Sequence, residues 1–87
     1  MLLLRDLRQR YHIPLMALAQ AAGVSHQLIS DLELEKRPAT PGERRLVERA
    51  FEIVIQDRKE QQERLVEEFS AGRSNLLEPV PEMEGTN

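Results

Sequence analysis

An all-α domain is what this sequence predicts, on three observations. Apolar residues recur at spacings of three and four along most of the chain, Gly23 and the loop 36–42 fall where helices would stop, and Ser25 and Thr40 stand where helices would start. With 87 residues, 40% of them apolar, the chain has material for one modest core and no more.

Residues 2 to 12 place Leu4, Leu7 and Tyr11 on one stripe, with Arg5, Asp6, Arg8 and Gln9 on the other faces, so a first helix is expected there. Pro14 ends it and opens a second, from Pro14 to Ala22, because a proline in a first turn gives up no needed donor. Its run of alanines lets another helix approach closely. Gly23 is the expected stop, since glycine takes up the left-handed conformation without steric cost.

Ser25 caps a third helix over residues 26–34, although Leu28 occupies the place where a capping box needs Glu or Gln. Ile29 and Leu32 face the core with Val24, while His26, Gln27, Ser30, Asp31 and Leu34 point outward and Leu28 lies on the border. The prolines and glycine of residues 36–42 make a loop, ending in Thr40 as the next N-cap and Pro41 at the first helical position.

From Pro41 to about Ser70 the pattern is helical again, with Leu46, Val47, Ala50, Ile53 and Val54 as the stripe that covers the first three helices. Residues 56–64 then carry no apolar side chain, before Leu65, Val66 and Phe69 form a short patch. No Gly or Pro interrupts the stretch, and helix formers dominate it, so one continuous helix is predicted. Position 65 would then stand about 28 Å from position 46, too far to share a small core, which makes the patch a contact for a second copy or another protein. The chain thus divides into a compact part over residues 1–55, a helical extension over 56–70 and a flexible acidic tail over 71–87.

Several function classes fall away. The absence of cysteine excludes disulfide scaffolds, thiolate metal sites and cysteine nucleophiles. The apolar run Met1–Leu4 neither crosses a membrane nor makes the apolar segment of a secretory signal, so the expected location is the cytoplasm. His12 and His26 form no metal-ligand pattern, and there is no phosphate loop or serine elbow, so neither an enzyme nor a metal or cofactor is expected. Residues 1–50 carry eight basic and six acidic side chains (+2), residues 51–87 four and nine (−5). This asymmetry points to an anion-facing front and a solvated acidic rear.

Two short helices joined by a glycine turn, the second opened by a serine, make a helix-turn-helix by spacing. Leu4-Arg5-Asp6-Leu7-Arg8, Leu18-Ala19, Gly23-Val24-Ser25, Ile29-Ser30, and Glu33 followed by Lys36-Arg37 together resemble the Xre family of regulators, which includes the Cro and lambda-type phage repressors. The resemblance covers roughly residues 2 to 55.

It implies a lambda-repressor-like bundle of four to five helices that binds double-stranded DNA as a homodimer, probing the major groove with its third helix. Ser25, His26, Gln27, Leu28 and Asp31 match the family's base-facing positions, while Ser30, Lys36 and Arg37 match positions at the DNA backbone. Arg8 and Glu33 match a structural ion pair between the first and third helices. The resemblance also implies a helix-ending glycine at position 35, where this chain has glutamate.

With two basic and three acidic residues over 25–37 (−1), the expected affinity is modest and strongly salt-dependent. The function expected is therefore that of a small transcriptional regulator, of the repressor type found in phages and mobile elements. The competing expectation is an adaptor or antitoxin-like module that keeps the scaffold and holds a protein partner through its C-terminal helix, with Leu65, Val66 and Phe69 as the contact.

Overall fold

The computed structural model describes residues 1–80. Among them the chain is all helical: α1 (Leu3–Arg10), α2 (Leu15–Ala22), α3 (His26–Glu33) and α4 (Pro41–Gly72), followed by one 3-10 turn at Arg73–Asn75. None of these helices is long and apolar enough to cross a membrane.

The three short helices stop in the same way. At each stop one residue takes a left-handed backbone, His12 (φ 54°), Gly23 (φ 71°) and Glu35 (φ 58°). Two amides then turn back onto carbonyls of the last turn: His12 to Gln9 and Ile13 to Arg8, Gly23 to Gln20 and Val24 to Ala19, Glu35 to Leu32 and Lys36 to Asp31. Only the middle stop is a glycine. His12 and Glu35 hold a conformation that opposes their Cβ, a cost of about 1–2 kcal/mol each.

The first stop corrects the reading of α1. Tyr11 lies beyond the helix and is 57% exposed, because the reversal at His12 carries Ile13 into the core instead, where it is 4% exposed. No spacing rule reveals this, since Ile13 belongs to no helix. Pro14 likewise precedes α2 rather than opening it: its backbone is extended, and its carbonyl accepts from Ala17. Leu34, expected inside α3, is the residue that caps it.

Ile13, Leu18, Ala19, Ile29, Ala50 and Val54 form the buried core, with Leu4, Leu15, Val24, Val47 and Phe51 packed around it. Ala19 and Ala50 are both buried, and α2 makes the main contact with α4, which is the close approach its small residues allow. The covered stripe of α4 is narrower than the pattern suggests. Leu46 and Ile53 remain 43% and 39% exposed, because α2 is the short helix that packs extensively on α4 and the covered line is Val47–Ala50–Val54 with Phe51 beside it.

Thr40 accepts from the Glu43 amide at 3.1 Å, and the Glu43 carboxylate accepts from the Thr40 amide at 3.0 Å. This reciprocal cap was readable as Thr-x-x-Glu. From it α4 runs unbroken for 32 residues, about 48 Å, and sets the 52 Å length of a molecule only 27 by 18 Å across. Residues 71–75, expected to be tail, continue the helical path. Gly72 keeps a negative φ and so does not break it, and the Arg73 guanidinium lies 5.3 Å from the centre of the Phe69 ring. The acidic tail beyond residue 80 lies outside the described residues.

Gly23→Ala is expected to lower unfolding free energy by about 1–2 kcal/mol through backbone strain alone, since no atom lies within 4 Å of the added Cβ. Glu35→Gly should raise it by up to about 1 kcal/mol. Urea denaturation of the two variants checks this, and a stabilised Gly23→Ala or a destabilised Glu35→Gly would refute the account.

Candidate nucleic-acid interface

The residues that single out α3 begin at its cap. The Ser25 hydroxyl accepts from the Leu28 amide at 3.2 Å, which fixes where the helix starts. A helix's first amides have no intrahelical partner, and this cap takes only the amide of Leu28. Ser25, His26 and Gln27 are exposed, Leu28, Ser30 and Asp31 half-buried, and Ile29, Leu32 and Glu33 buried. One turn of α3 therefore presents its polar residues outward while the opposite face is anchored in the core.

Arg8 fixes how α3 sits. Its guanidinium donates to both Glu33 carboxylate oxygens, at 2.6 and 2.9 Å, and to the Ile13 carbonyl at 3.2 Å. The Glu33 side chain is 4% exposed and that of Arg8 17%. The hydrogen bond to Glu33 pushes the Arg8 guanidinium above its ordinary range, outweighing the burial that opposes it. One planar group thus joins α1, the stop after it and α3, and its fork geometry matches a carboxylate as no lysine would.

The outward side chains are paired among themselves. Gln27 donates through Nε2 to Asp31 Oδ1 at 2.8 Å, one turn along the helix, and Lys36 Nζ stands 3.6 Å from the same oxygen. Arg37, read from the sequence as a backbone contact, is held by Glu43 through two hydrogen bonds of 2.8 and 2.7 Å and also donates to the Pro38 carbonyl at 3.3 Å.

Glu43 is the residue that sequence reasoning missed in this loop. The Arg37 guanidinium and the Thr40 amide together hold its carboxyl at about 2, well below the usual carboxylate range. Its dual role follows from position. As the third residue of α4 it closes the cap, and its two oxygens still reach the loop that precedes the helix.

Arg58 was also missed, because nothing in its spacing marks it. It reaches from α4 to the His12 carbonyl at 3.1 Å and secures the strained stop of α1. The third group, Leu65, Val66 and Phe69, is remote from α3. These side chains are 60%, 53% and 41% exposed on the part of α4 beyond the bundle. Among the described residues no group of three His, Asp or Glu side chains could hold a metal ion.

The arrangement can do two things chemically. It can present a short row of hydrogen-bonding groups, His26, Gln27 and Asp31, on a rigid helix end, and it can place two cations, Lys36 and Arg37, beside that row. Comparisons with protein-family models, with curated proteins and with solved structures match nothing to this chain.

Glu33→Ala is expected to cost more than about 2 kcal/mol, because it leaves the Arg8 guanidinium without its partner in a largely covered place. An unchanged thermal midpoint would refute this. The Glu43 carboxyl should titrate with a midpoint near 2 by carbon-detected NMR. Its pairing contributes fully above about pH 4.5 and is lost as pH falls toward 2. Arg37→Ala should return the midpoint toward the ordinary range, and no movement would show that Arg37 is not the cause.

Proposed function

We propose that the chain binds double-stranded DNA sequence-specifically as a homodimer and regulates transcription, in the manner of the Xre-type regulators it resembles. The observation that carries this reading is the outward end of α3. Its polar residues Ser25, His26 and Gln27 are exposed at a capped helix start, while Arg8–Glu33 and the buried Ile29 and Leu32 hold the helix rigidly behind them. An α-helix end of this size fits a major groove, where base edges carry distinct donor and acceptor patterns.

In this reading α2, the turn Gly23–Ser25 and α3 form the helix-turn-helix. His26 and Gln27 read base edges, Leu28 touches a thymine methyl, and Asp31 orients Gln27. Asp31 is an acceptor when ionised, so it takes the amide nitrogen and leaves the Gln27 oxygen to face outward. Lys36 and Arg37 supply affinity at phosphates, with Ser30 beside them, and both cations exchange an internal carboxylate for the DNA backbone. That exchange lowers the net gain, so modest affinity is expected.

A second reading has its own support, the exposed Leu65, Val66 and Phe69 on a helix that projects past the bundle. There the chain is an adaptor that docks a partner protein through α4.

A salt titration separates the two. Binding to random duplex DNA should weaken by at least about tenfold between 50 and 200 mM salt, and Lys36→Ala with Arg37→Ala should reduce both affinity and salt slope. The helical signal should survive in that variant. No binding at 50 mM salt by the folded protein would overturn the DNA reading in favour of the adaptor.

A further inference from the structure

We infer, resting on the DNA reading above, that Gln27 and Asp31 select a base with an exocyclic amine, cytosine or adenine, at one position of the DNA and reject guanine and thymine there. Gln27 is exposed at the outward end of α3, and Asp31, one turn farther along, is half-buried. The Gln27 amide nitrogen donates to Asp31 Oδ1 at 2.8 Å, and Lys36 Nζ stands 3.6 Å from the same oxygen. This pairing fixes which way the Gln27 amide points. Turned over, it would set its oxygen against a carboxylate oxygen that has no proton to give. The Gln27 oxygen therefore faces away from Asp31, and one of the two amide N–H groups is spent.

A base edge in front of this pair meets the Gln27 oxygen, the Asp31 carboxylate and a single remaining N–H. In the major groove cytosine presents its N4 amine, adenine its N6 amine beside the acceptor N7, guanine the acceptors O6 and N7, and thymine the acceptor O4 beside a methyl group. The amine of cytosine finds an acceptor. That of adenine does the same, and its N7 takes the remaining N–H. Guanine and thymine would set oxygen against oxygen in a place that water has left, so groups on both sides lose their partners. Lys36, the cation paired with Asp31, is taken by a phosphate in the DNA reading and does not supply the missing donor.

Selection from a randomised duplex pool by the full chain at about 50 mM salt, followed by sequencing, tests this. One position should favour cytosine or adenine over guanine and thymine by at least about tenfold on one strand. Gln27→Ala locates that position, since the preference there should vanish while other positions keep theirs. Asp31→Asn frees the amide to turn either way, so the same position should lose its preference while affinity for random duplex rises, a carboxylate having left the face. A variant that had merely lost structure would lose affinity as well. Gln27→Glu, which offers acceptors only, should keep the preference. Guanine or thymine enriched at the position that Gln27→Ala locates, a preference that survives Asp31→Asn, or one that Gln27→Glu abolishes would each overturn the inference. Binding with no base preference overturns it and leaves DNA binding standing, whereas no binding by the folded chain overturns the DNA reading and this inference with it.

Discussion

Arg8 is the group on which the rest of the arrangement turns. Its guanidinium gives two hydrogen bonds to Glu33 and one to the Ile13 carbonyl, so a single side chain sets the angle of α3 against α1 and fastens the stop between α1 and α2. The geometry is costly to assemble, because both charges leave water, and it is specific because the planar fork admits few alternatives. Leu18 and Ile29, the largest fully buried side chains, supply the favourable burial. Apolar contacts of this kind are non-directional, whereas the hydrogen bonds of Arg8 are directional.

The three helix stops explain why so short a chain can place α3 rigidly. Each reverses the backbone in two or three residues and closes the freed carbonyls within the last turn, leaving little slack in the connections. Two of the three use residues that the conformation opposes, His12 and Glu35. The strain at His12 is secured from outside, by Arg58 on its carbonyl and Arg8 on the next one. Glu35 sits immediately before Lys36 and Arg37, so the loop that leads to α4 begins at a strained residue.

The outer face of α3 shows a balance between presentation and self-pairing. Asp31 engages both Gln27 and Lys36, and Glu43 engages Arg37. Such exposed pairs are weak and screened by salt, so a stronger anion can displace them. The same carboxylates keep the face from being strongly basic.

Much of this could be read from the residues alone. The helices, the caps at Ser25 and Thr40, the stop at Gly23 and the continuity of α4 are local properties, governed by side-chain periodicity and by the backbone preferences of single residues. The resemblance implies the pairing of Arg8 with Glu33, which stand 2.6 Å apart. What lay beyond the sequence depends on pairs remote in the chain or on residues outside any periodic element. Ile13 enters the core only because the chain reverses at His12, and Tyr11 leaves it for the same reason. Leu46 and Ile53 stay wet because α2, the short helix that packs extensively on α4, covers only a narrow line of it. Arg37 is held by Glu43 and His12 by Arg58, pairings that no spacing announces. Helical periodicity identifies the face a residue occupies, but only packing decides how much of that face is covered and which charges meet across it.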